Sequence, residues 1–198
     1  MIPRALRLHP LLSLCLTLSL LLSSCSQLPQ LGIQPQPTQP AITETLVTFA
    51  VTLPAALQPG ESIALVVLDE VTGLAFNQQV TRLESQDALH YTTTLQLRIG
   101  SVLKYRYQRQ GTYTAQEHLP AGQPVRYRLH HVVAQATVSD QVSRWTDTPY
   151  AGDTGRIHGS VTDAQTRQPI PGLLVTAGGR QTHTTAEGSY LLDGLPPG

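Results

Sequence analysis

The sequence predicts an all-β protein with two consecutive antiparallel β-sandwich modules that follow an apolar N-terminal segment and a tether. Three observations predict this class. From Ile42 to about Ser139, apolar and polar residues alternate with a period of two, as in strands with one buried face. Turn residues, mainly Gly and Pro, separate these runs at regular spacing. No stretch has convincing helical periodicity, and a charged fraction of 13% fits a β-rich exported chain.

The N-terminus has the three regions of an export signal. Arg4 and Arg7 form a positive start, residues 11–22 are apolar, and Leu22-Ser23-Ser24-Cys25 ends the segment. This arrangement resembles a bacterial lipoprotein signal. The resemblance implies a signal peptide at 1–24 and lipid attachment at Cys25, which would anchor an exported chain on the extracytoplasmic side of a membrane. Ser26 at the next position implies the outer membrane or cell surface.

Two alternatives to lipidation stay open. One is an ordinary secretory signal in which Cys25 is incidental, and the other is an uncleaved anchor. The apolar run is shorter than the roughly 20 residues that a spanning helix needs. Two or more acyl chains would give stable attachment to a membrane, whereas a single chain binds reversibly.

Composition excludes several classes of function. The chain has two cysteines, Cys15 inside the signal and Cys25, so the exported part has no disulfide and no cysteine-ligated metal. Loss of Arg4 and Arg7 from 13 basic residues leaves 11 against 13 acidic ones, which gives no electrostatic drive toward nucleic acid. No catalytic, metal-binding or phosphate-binding motif is present, so we predict a non-enzymatic chain without metal or cofactor.

A tether and a first module follow the signal. Residues 25–41 are rich in Pro and Gln and predict a semi-rigid tether, because they cannot bury enough apolar surface to fold. Residues 42–140 predict the first β-sandwich. Thr45, Val47, Phe49, Val51 and Leu53 share one strand face, and Ile63–Leu68 has the apolar character of a central strand.

Three runs of the first module carry a family resemblance. They are Val47-Thr48-Phe49 to Leu53-Pro54, Pro59-Gly60-Glu61 before Ile63–Leu68, and Gly100-Ser101-Val102-Leu103-Lys104-Tyr105-Arg106-Tyr107. Together they resemble the starch-binding family of carbohydrate-binding modules. The resemblance implies tryptophans that stack on sugar rings after the second strand, but this chain has residues 69–77 there, and its single tryptophan is Trp145.

The module therefore needs another sugar-binding face. Sugar recognition requires a flat apolar surface with polar groups beside it for the hydroxyls. We predict Phe76 or Tyr113 as that surface, with Asn77 or Gln116 as the polar group. The alternative is that the module keeps the fold without a glycan site, because a fold does not imply a function.

A second candidate surface is cationic. Lys104 and Arg106 lie two residues apart on one predicted strand, and Arg126 and Arg128 lie two residues apart on another. A period of two places each pair on one face. If the strands are neighbours, the four cations would form a face for an anionic polysaccharide. The alternative is a solvated outer face balanced by acids such as Glu117.

Residues 141–154 predict a linker, and residues 155–198 predict a second small module. Its motifs are Gly159-Ser160-Val161-Thr162-Asp163, Pro169-Ile170-Pro171-Gly172, Glu187-Gly188-Ser189-Tyr190 and Gly194-Leu195-Pro196-Pro197-Gly198. They resemble the carboxypeptidase regulatory-like module, a transthyretin-like β-sandwich without catalytic residues of its own. Compared with that family, we expect a truncated module with further domains downstream. Gly178-Gly179 predicts a tight hairpin. The predicted core residues, whose faces should stay partly wet, are Leu173, Val175, Tyr190, Leu192 and Leu195.

Together these features predict a cell-envelope lipoprotein with two functional alternatives. In the first, its β-sandwich modules bind extracellular carbohydrate or display other domains. In the second, the chain is a structural spacer or anchor region of a larger secreted hydrolase or peptidase. The predicted partners are a membrane, through Cys25, and a polysaccharide.

Overall fold

The computed structural model describes residues 43–76 and 78–197. These residues form fourteen strands and no helix, which confirms the predicted all-β class. No helix among them is long and apolar enough to cross a membrane. The strands are β1 (Glu44–Thr52), β2 (Ser62–Val67), β3 (Gln79–Arg82), β4 (Glu84–Ser85), β5 (His90–Arg98), β6 (Val102–Gln110), β7 (Ala115–His118), β8 (Arg128–His131), β9 (Ala136–Gln141), β10 (Arg144–Trp145), β11 (Gly155–Ser160), β12 (Leu174–Ala177), β13 (Arg180–His183) and β14 (Ser189–Leu195).

The first sheet has the strand order β4-β5-β1-β9. β1 and β5 pair antiparallel, so Val47 lies opposite Leu95 and Val51 lies opposite Tyr91. Val47, Phe49 and Val51 are buried on one face of β1, as the alternation predicts. β9 pairs with β1 in parallel and forms one edge of the sheet, an exception to the antiparallel arrangement expected from the sequence.

The second sheet has the order β10-β7-β6-β2-β3, and β8 also pairs with β6. β2 lies inside this sheet, between β6 and β3, and Ile63, Leu65 and Val66 are fully buried in it, as its apolar composition predicts. Because Leu65 lies opposite Tyr107 and Val67 lies opposite Tyr105, these residues share the inner face with the two tyrosines.

The core lies between the two sheets. Phe49 from the first sheet meets Tyr105 from the second edge-to-face, with ring centroids 4.9 Å apart. A smaller cluster lies on the outer face of the second sheet, where Val66, Leu68 and Tyr127 are buried together. The second sheet therefore buries apolar residues on both faces around β2 and β8.

The sandwich continues into the predicted linker. Val142 is buried, and Trp145 in β10 is only 2% exposed. β10 pairs with β7, where Trp145 lies opposite Glu117. The predicted module boundary at residue 140 is therefore too early, because the inner faces of the sheets are not closed until Trp145 joins the core. Residues 151–154 remain exposed and outside any strand.

The C-terminal part consists of two antiparallel pairs, β11 with β14 and β12 with β13. Gly178 and Gly179 join β12 to β13 with φ of 55° and 82°, as expected for the predicted tight hairpin. Of the predicted core residues, Leu192 and Leu195 are buried, whereas Leu173 is exposed. Val175 and Tyr190 are half-buried, so the predicted core faces are partly wet.

The C-terminal part contacts the sandwich directly. Gln181 Nε2 in β13 donates a hydrogen bond to the Tyr127 carbonyl at 3.1 Å. The backbone of Gly179 lies so close to Val125 that an added Cβ would stand 2.8 Å from its Cγ1. Both parts consequently belong to one compact unit.

Candidate functional site

A cleft lies beside the connection between β6 and β7, and we call it the Tyr113 cleft. Its volume is about 360 Å3, within the range of small-ligand sites. The Tyr113 side chain is 83% exposed at this cleft, although most large aromatic side chains in the sandwich are buried. The other lining residues are Gln58, Pro59, Gly60, Glu61, Arg109, Gly111, Thr112 and Asp147.

Charged groups in the cleft are held in place by one another. Arg109, near the end of β6, forms ion pairs with Glu61, at 3.1 Å, and with Asp147. Its guanidinium also lies over the Trp145 ring, 5.9 Å from the centroid. The second oxygen of Glu61 accepts the backbone N–H of Gln58 at 2.9 Å. These contacts fix a guanidinium and two carboxylates beside an exposed aromatic ring.

This arrangement has the groups that sugar recognition requires. An exposed ring can stack on the apolar face of a pyranose, and charged groups can donate to and accept from its hydroxyls. One cation and two anions give the cleft a formal charge of −1, so a neutral sugar fits better than an acidic one.

Of these lining residues, only Tyr113 is predicted from the sequence as a binding residue. Glu61, Arg109 and Asp147 come from three separate segments, and Arg109 and Asp147 are 38 positions apart. Antiparallel pairing of β2 with β6 places Ile63 opposite Arg109 and thereby brings Glu61 to the cleft. No spacing in the sequence signals that pairing.

The two predicted aromatic faces do not lie together. Phe76 is 64% exposed in the connection between β2 and β3, near the start of β6, whereas Tyr113 follows the end of β6. Nine residues of β6 separate these ends by about 30 Å at roughly 3.3 Å per residue. One sugar ring cannot contact both side chains.

Of the two polar groups predicted to bind sugar hydroxyls, the structure describes Gln116 but not Asn77. Gln116 lies in β7, and its Nε2 donates to the Val125 carbonyl at 3.0 Å. That bond ties β7 to the segment before β8, so the amide is engaged within the protein. Asn77 lies outside the described residues, as does the predicted lipidation residue Cys25.

Three of the four predicted cations surround the outer cluster of the second sheet. The Lys104 ammonium donates to the Val71 carbonyl at 2.8 Å and lies 5.1 Å from the centroid of the Tyr127 ring. Arg126 is exposed, and its guanidinium lies 5.5 Å from the same centroid. Arg106 is half-buried, and burial lowers its pKa.

Arg128 is not on this outer face, so its assignment to the cationic face is wrong. Its side chain is 5% exposed and points to the inside of the sandwich, because Arg128 lies opposite Tyr105 in the pairing of β8 with β6. Nη2 donates to Glu117 and Nη1 to Asp140, at 2.8 and 2.9 Å. Glu117, which the alternative of a solvated outer face would place in solvent, is 1% exposed.

These groups form a buried polar network that joins the two sheets. The hydroxyls of Tyr105 and Tyr107 both donate to Asp140 Oδ2, at 2.8 and 2.9 Å. Burial, reinforced by Asp140, raises the pKa of both tyrosines. Burial alone would lower the pKa of Arg128, but Glu117 and Asp140 raise it, so its guanidinium stays charged. The network clamps β8 of the second sheet to β9 of the first.

No cluster of three or more His, Cys, Asp or Glu side chains within residues 43–76 and 78–197 has an arrangement that could hold a metal ion. Three candidate ligand-binding surfaces therefore remain among the described residues. They are the Tyr113 cleft, the isolated Phe76, and the Lys104, Arg106 and Arg126 side chains around Tyr127.

Comparison with known proteins gives similarity only to solved structures. No protein-family profile matches the chain, and no curated protein matches it. Similar structures include the glycoside hydrolase family 15 glucoamylase from Hypocrea jecorina, with 20% identity over 62% of this chain and 21% of that one, at a TM-score of 0.39. The glucoamylase of Hormoconis resinae has 20% identity over 54% of this chain and 18% of its own, with a TM-score of 0.38.

A third similar structure is the gamma-CGTase of alkalophilic Bacillus clarkii, with 16% identity over 51% of this chain and 15% of that one, and a TM-score of 0.36. The chain thus spans about a fifth or less of the length of these proteins. The similarity to these carbohydrate-active proteins is weak.

Proposed function

We propose that this chain belongs to a non-enzymatic cell-envelope lipoprotein whose sandwich binds extracellular carbohydrate in the Tyr113 cleft. One observation carries the proposal, namely the Tyr113 ring, 83% exposed beside the fixed charges of Glu61, Arg109 and Asp147. A tyrosine ring offers a flat apolar surface with little conformational entropy to lose, and the charged groups are already oriented by their own pairs.

The test is affinity electrophoresis of the purified chain through gels with soluble starch, glycogen or an acidic polysaccharide. We expect starch or glycogen to slow the wild type and Tyr113→Phe, because both keep an aromatic ring. Tyr113→Ala should migrate as it does in a gel without polysaccharide. An aromatic stacking contact is worth about 0.5–1.5 kcal/mol beyond the apolar area that it buries, so its loss removes most of a weak affinity.

Phe76→Ala is the matched control, since it removes an exposed ring at the other end of β6. It should migrate like the wild type if the site is the Tyr113 cleft. Retardation by starch that Phe76→Ala abolishes and Tyr113→Ala leaves intact would refute the assignment. Retardation only by the acidic polymer, lost at high salt, would instead favour the surface of Lys104, Arg106 and Arg126.

The lipid anchor is a separate part of the proposal, supported by the apolar segment that ends at Cys25. Cells that express the chain and grow with labelled palmitate should label the wild type but not Cys25→Ser. After removal of the segment with Cys15, Cys25 is the only thiol that can carry the label. Equal labelling of the two proteins would contradict lipidation at Cys25.

The alternative function is a spacer that displays other domains of a larger secreted hydrolase or peptidase. The contact of Gln181 with Tyr127 and of Gly179 with Val125 favours it, because a spacer needs modules that do not swing freely. The same electrophoresis separates the two functions. Unchanged migration of the wild type in all three gels would favour the spacer.

A further inference from the structure

A second cleft lies between the sandwich and the C-terminal hairpins, and we call it the β9 cleft. Its volume is about 370 Å3. One wall consists of Ser139, Asp140 and Gln141 at the end of β9, and the facing wall includes Arg156, Ile157 and Leu195. None of these residues lines the Tyr113 cleft, so this site is independent of the proposed carbohydrate site.

β9 is an unusual edge strand for this sandwich. Edge strands expose a row of backbone donors and acceptors, and proteins commonly protect them by making them short or by placing Lys or Pro there. The other edge strand of the first sheet, β4, has two residues. The edge strands of the second sheet, β10 and β3, have two and four residues. β9 has six residues without Lys or Pro, and its register with β1 is unbroken.

The backbone groups that face outward from β9 can be assigned from two hydrogen bonds. Val142 N–H donates to the Thr52 carbonyl, so position 142 faces β1. The Gln141 carbonyl accepts Arg128 Nη2 at 2.8 Å, so position 141 faces away from β1. Because backbone direction alternates along a strand, Ser139 and Thr137 also face outward. No strand among the described residues pairs with that edge.

The buried network of Arg128, Glu117, Asp140 and the two tyrosines holds the edge of β9 in place and neutralises the charges beside it. Arg128 contacts both the Gln141 carbonyl and the Asp140 carboxylate, and both tyrosine hydroxyls fix the other oxygen of Asp140. Arg128 is already paired with Glu117 and Asp140, and Arg156 on the facing wall is exposed, so that its charge is solvated. An uncharged occupant therefore fits the cleft. Ile157 and Leu195 on the facing wall offer apolar contact.

We propose that the β9 cleft binds an extended, uncharged segment of a partner polypeptide, which adds to β9 as a further strand of the first sheet. Backbone pairing with Ser139 in the cleft and with Thr137, further along the same strand edge, supplies the hydrogen bonds, and an apolar side chain of the segment packs against Ile157 and Leu195. Among common ligands, an extended backbone has the repeating donors and acceptors that match an open strand edge.

The test uses the full chain and a probe peptide of about six alternating Thr and Val residues, acetylated and amidated, with a Lys pair beyond the end for solubility. Amide hydrogen exchange is followed residue by residue by NMR. With free peptide at about ten times its Kd, exchange at Thr137 and Ser139 should slow about tenfold. A twin peptide that is N-methylated at alternate residues lacks the donors and should leave exchange unchanged.

A substitution in the protein, Ser139→Pro, tests the same site without a change to the peptide. Proline removes the outward N–H and is tolerated on an edge strand when that N–H faces away from the sheet. We expect Ser139→Pro to lose peptide protection at Thr137, whereas Ser139→Ala keeps it. If Ser139→Pro is misfolded, the proposal is tested by comparing how the unmodified and the N-methylated peptide protect the wild-type amides.

Three results would overturn the proposal. The first is no protection of Thr137 and Ser139 at saturating peptide, or equal protection by the N-methylated twin. The second is a wild-type dimer in sedimentation equilibrium that protects the same amides without peptide, since the occupant would then be a second copy. The third is protection of these amides by soluble starch instead of peptide.

Discussion

Arg126 and Arg128 show how one residue position decides the role of a charge. The sequence places them two apart, which in a regular strand means the same face. β8 begins only at Arg128, however, and residues 125–127 are not in a strand. The alternation therefore does not extend back to Arg126, which lies outside over Tyr127 while Arg128 lies inside with Glu117 and Asp140.

This difference predicts very unequal costs for the same substitution. Arg128→Met should lower the free energy of unfolding by about 3–5 kcal/mol, because Glu117 would remain buried without its counter-ion. Arg126→Met should cost less than about 1 kcal/mol, since it removes only an exposed cation–π contact. Urea denaturation of the two variants and the wild type measures both changes.

A second substitution separates charge pairing from packing. Adding Glu117→Leu to Arg128→Met removes the stranded carboxylate and should recover part of the lost stability. If Arg128→Met and Arg126→Met cost the same, Arg128 would not have the buried role that its contacts indicate.

At the scale of elements, alternation predicted the long strands and missed the short ones. β1 and β2 follow their apolar patterns closely, because long runs average over many side chains. β10 has two residues and forms only because β7 offers it a partner, with Trp145 opposite Glu117. The sequence consequently predicts a linker at these residues, although Trp145 is a core residue.

The candidate site shows the same limit. Tyr113 was predictable because an aromatic residue after a Gly-containing turn stands out in the sequence. Glu61 and Asp147 were not, since they meet Arg109 only after β2, β6 and the segment following β10 have packed. In the buried network, the hydroxyls of Tyr105 and Tyr107 required a partner once the rings were buried, but nothing in the sequence identifies Asp140 as that partner.

At the scale of the whole molecule, the β12–β13 hairpin docks on the sandwich where Gly179 meets Val125. Gly179 has φ of 82°, and an added Cβ would lie 2.8 Å from Val125 Cγ1. We predict that Gly179→Ala displaces the hairpin and lowers the free energy of unfolding by about 1–3 kcal/mol beyond the backbone cost alone. An Asp-specific protease should then cut faster at Asp153, in the exposed segment 151–154.

Gly60→Ala is the control for the backbone cost. Gly60 has a similar φ of 87°, but an added Cβ would meet no atom within 4 Å. It should lose only the roughly 1–2 kcal/mol expected for a left-handed conformation with a side chain. Equal stability losses and equal cleavage rates at Asp153 in the two variants would mean that the hairpin does not depend on this contact.

The sequence by itself determined the all-β class, the long strands and the tight hairpin at Gly178-Gly179, because these follow from local alternation and from backbone freedom at glycine. Only the tertiary structure decided the parallel pairing of β9, the inward position of Arg128, the extent of the sandwich to Trp145 and the composition of the Tyr113 cleft. Each of these depends on which distant segments become neighbours, and a repeat of two residues carries no information about which strand pairs with which.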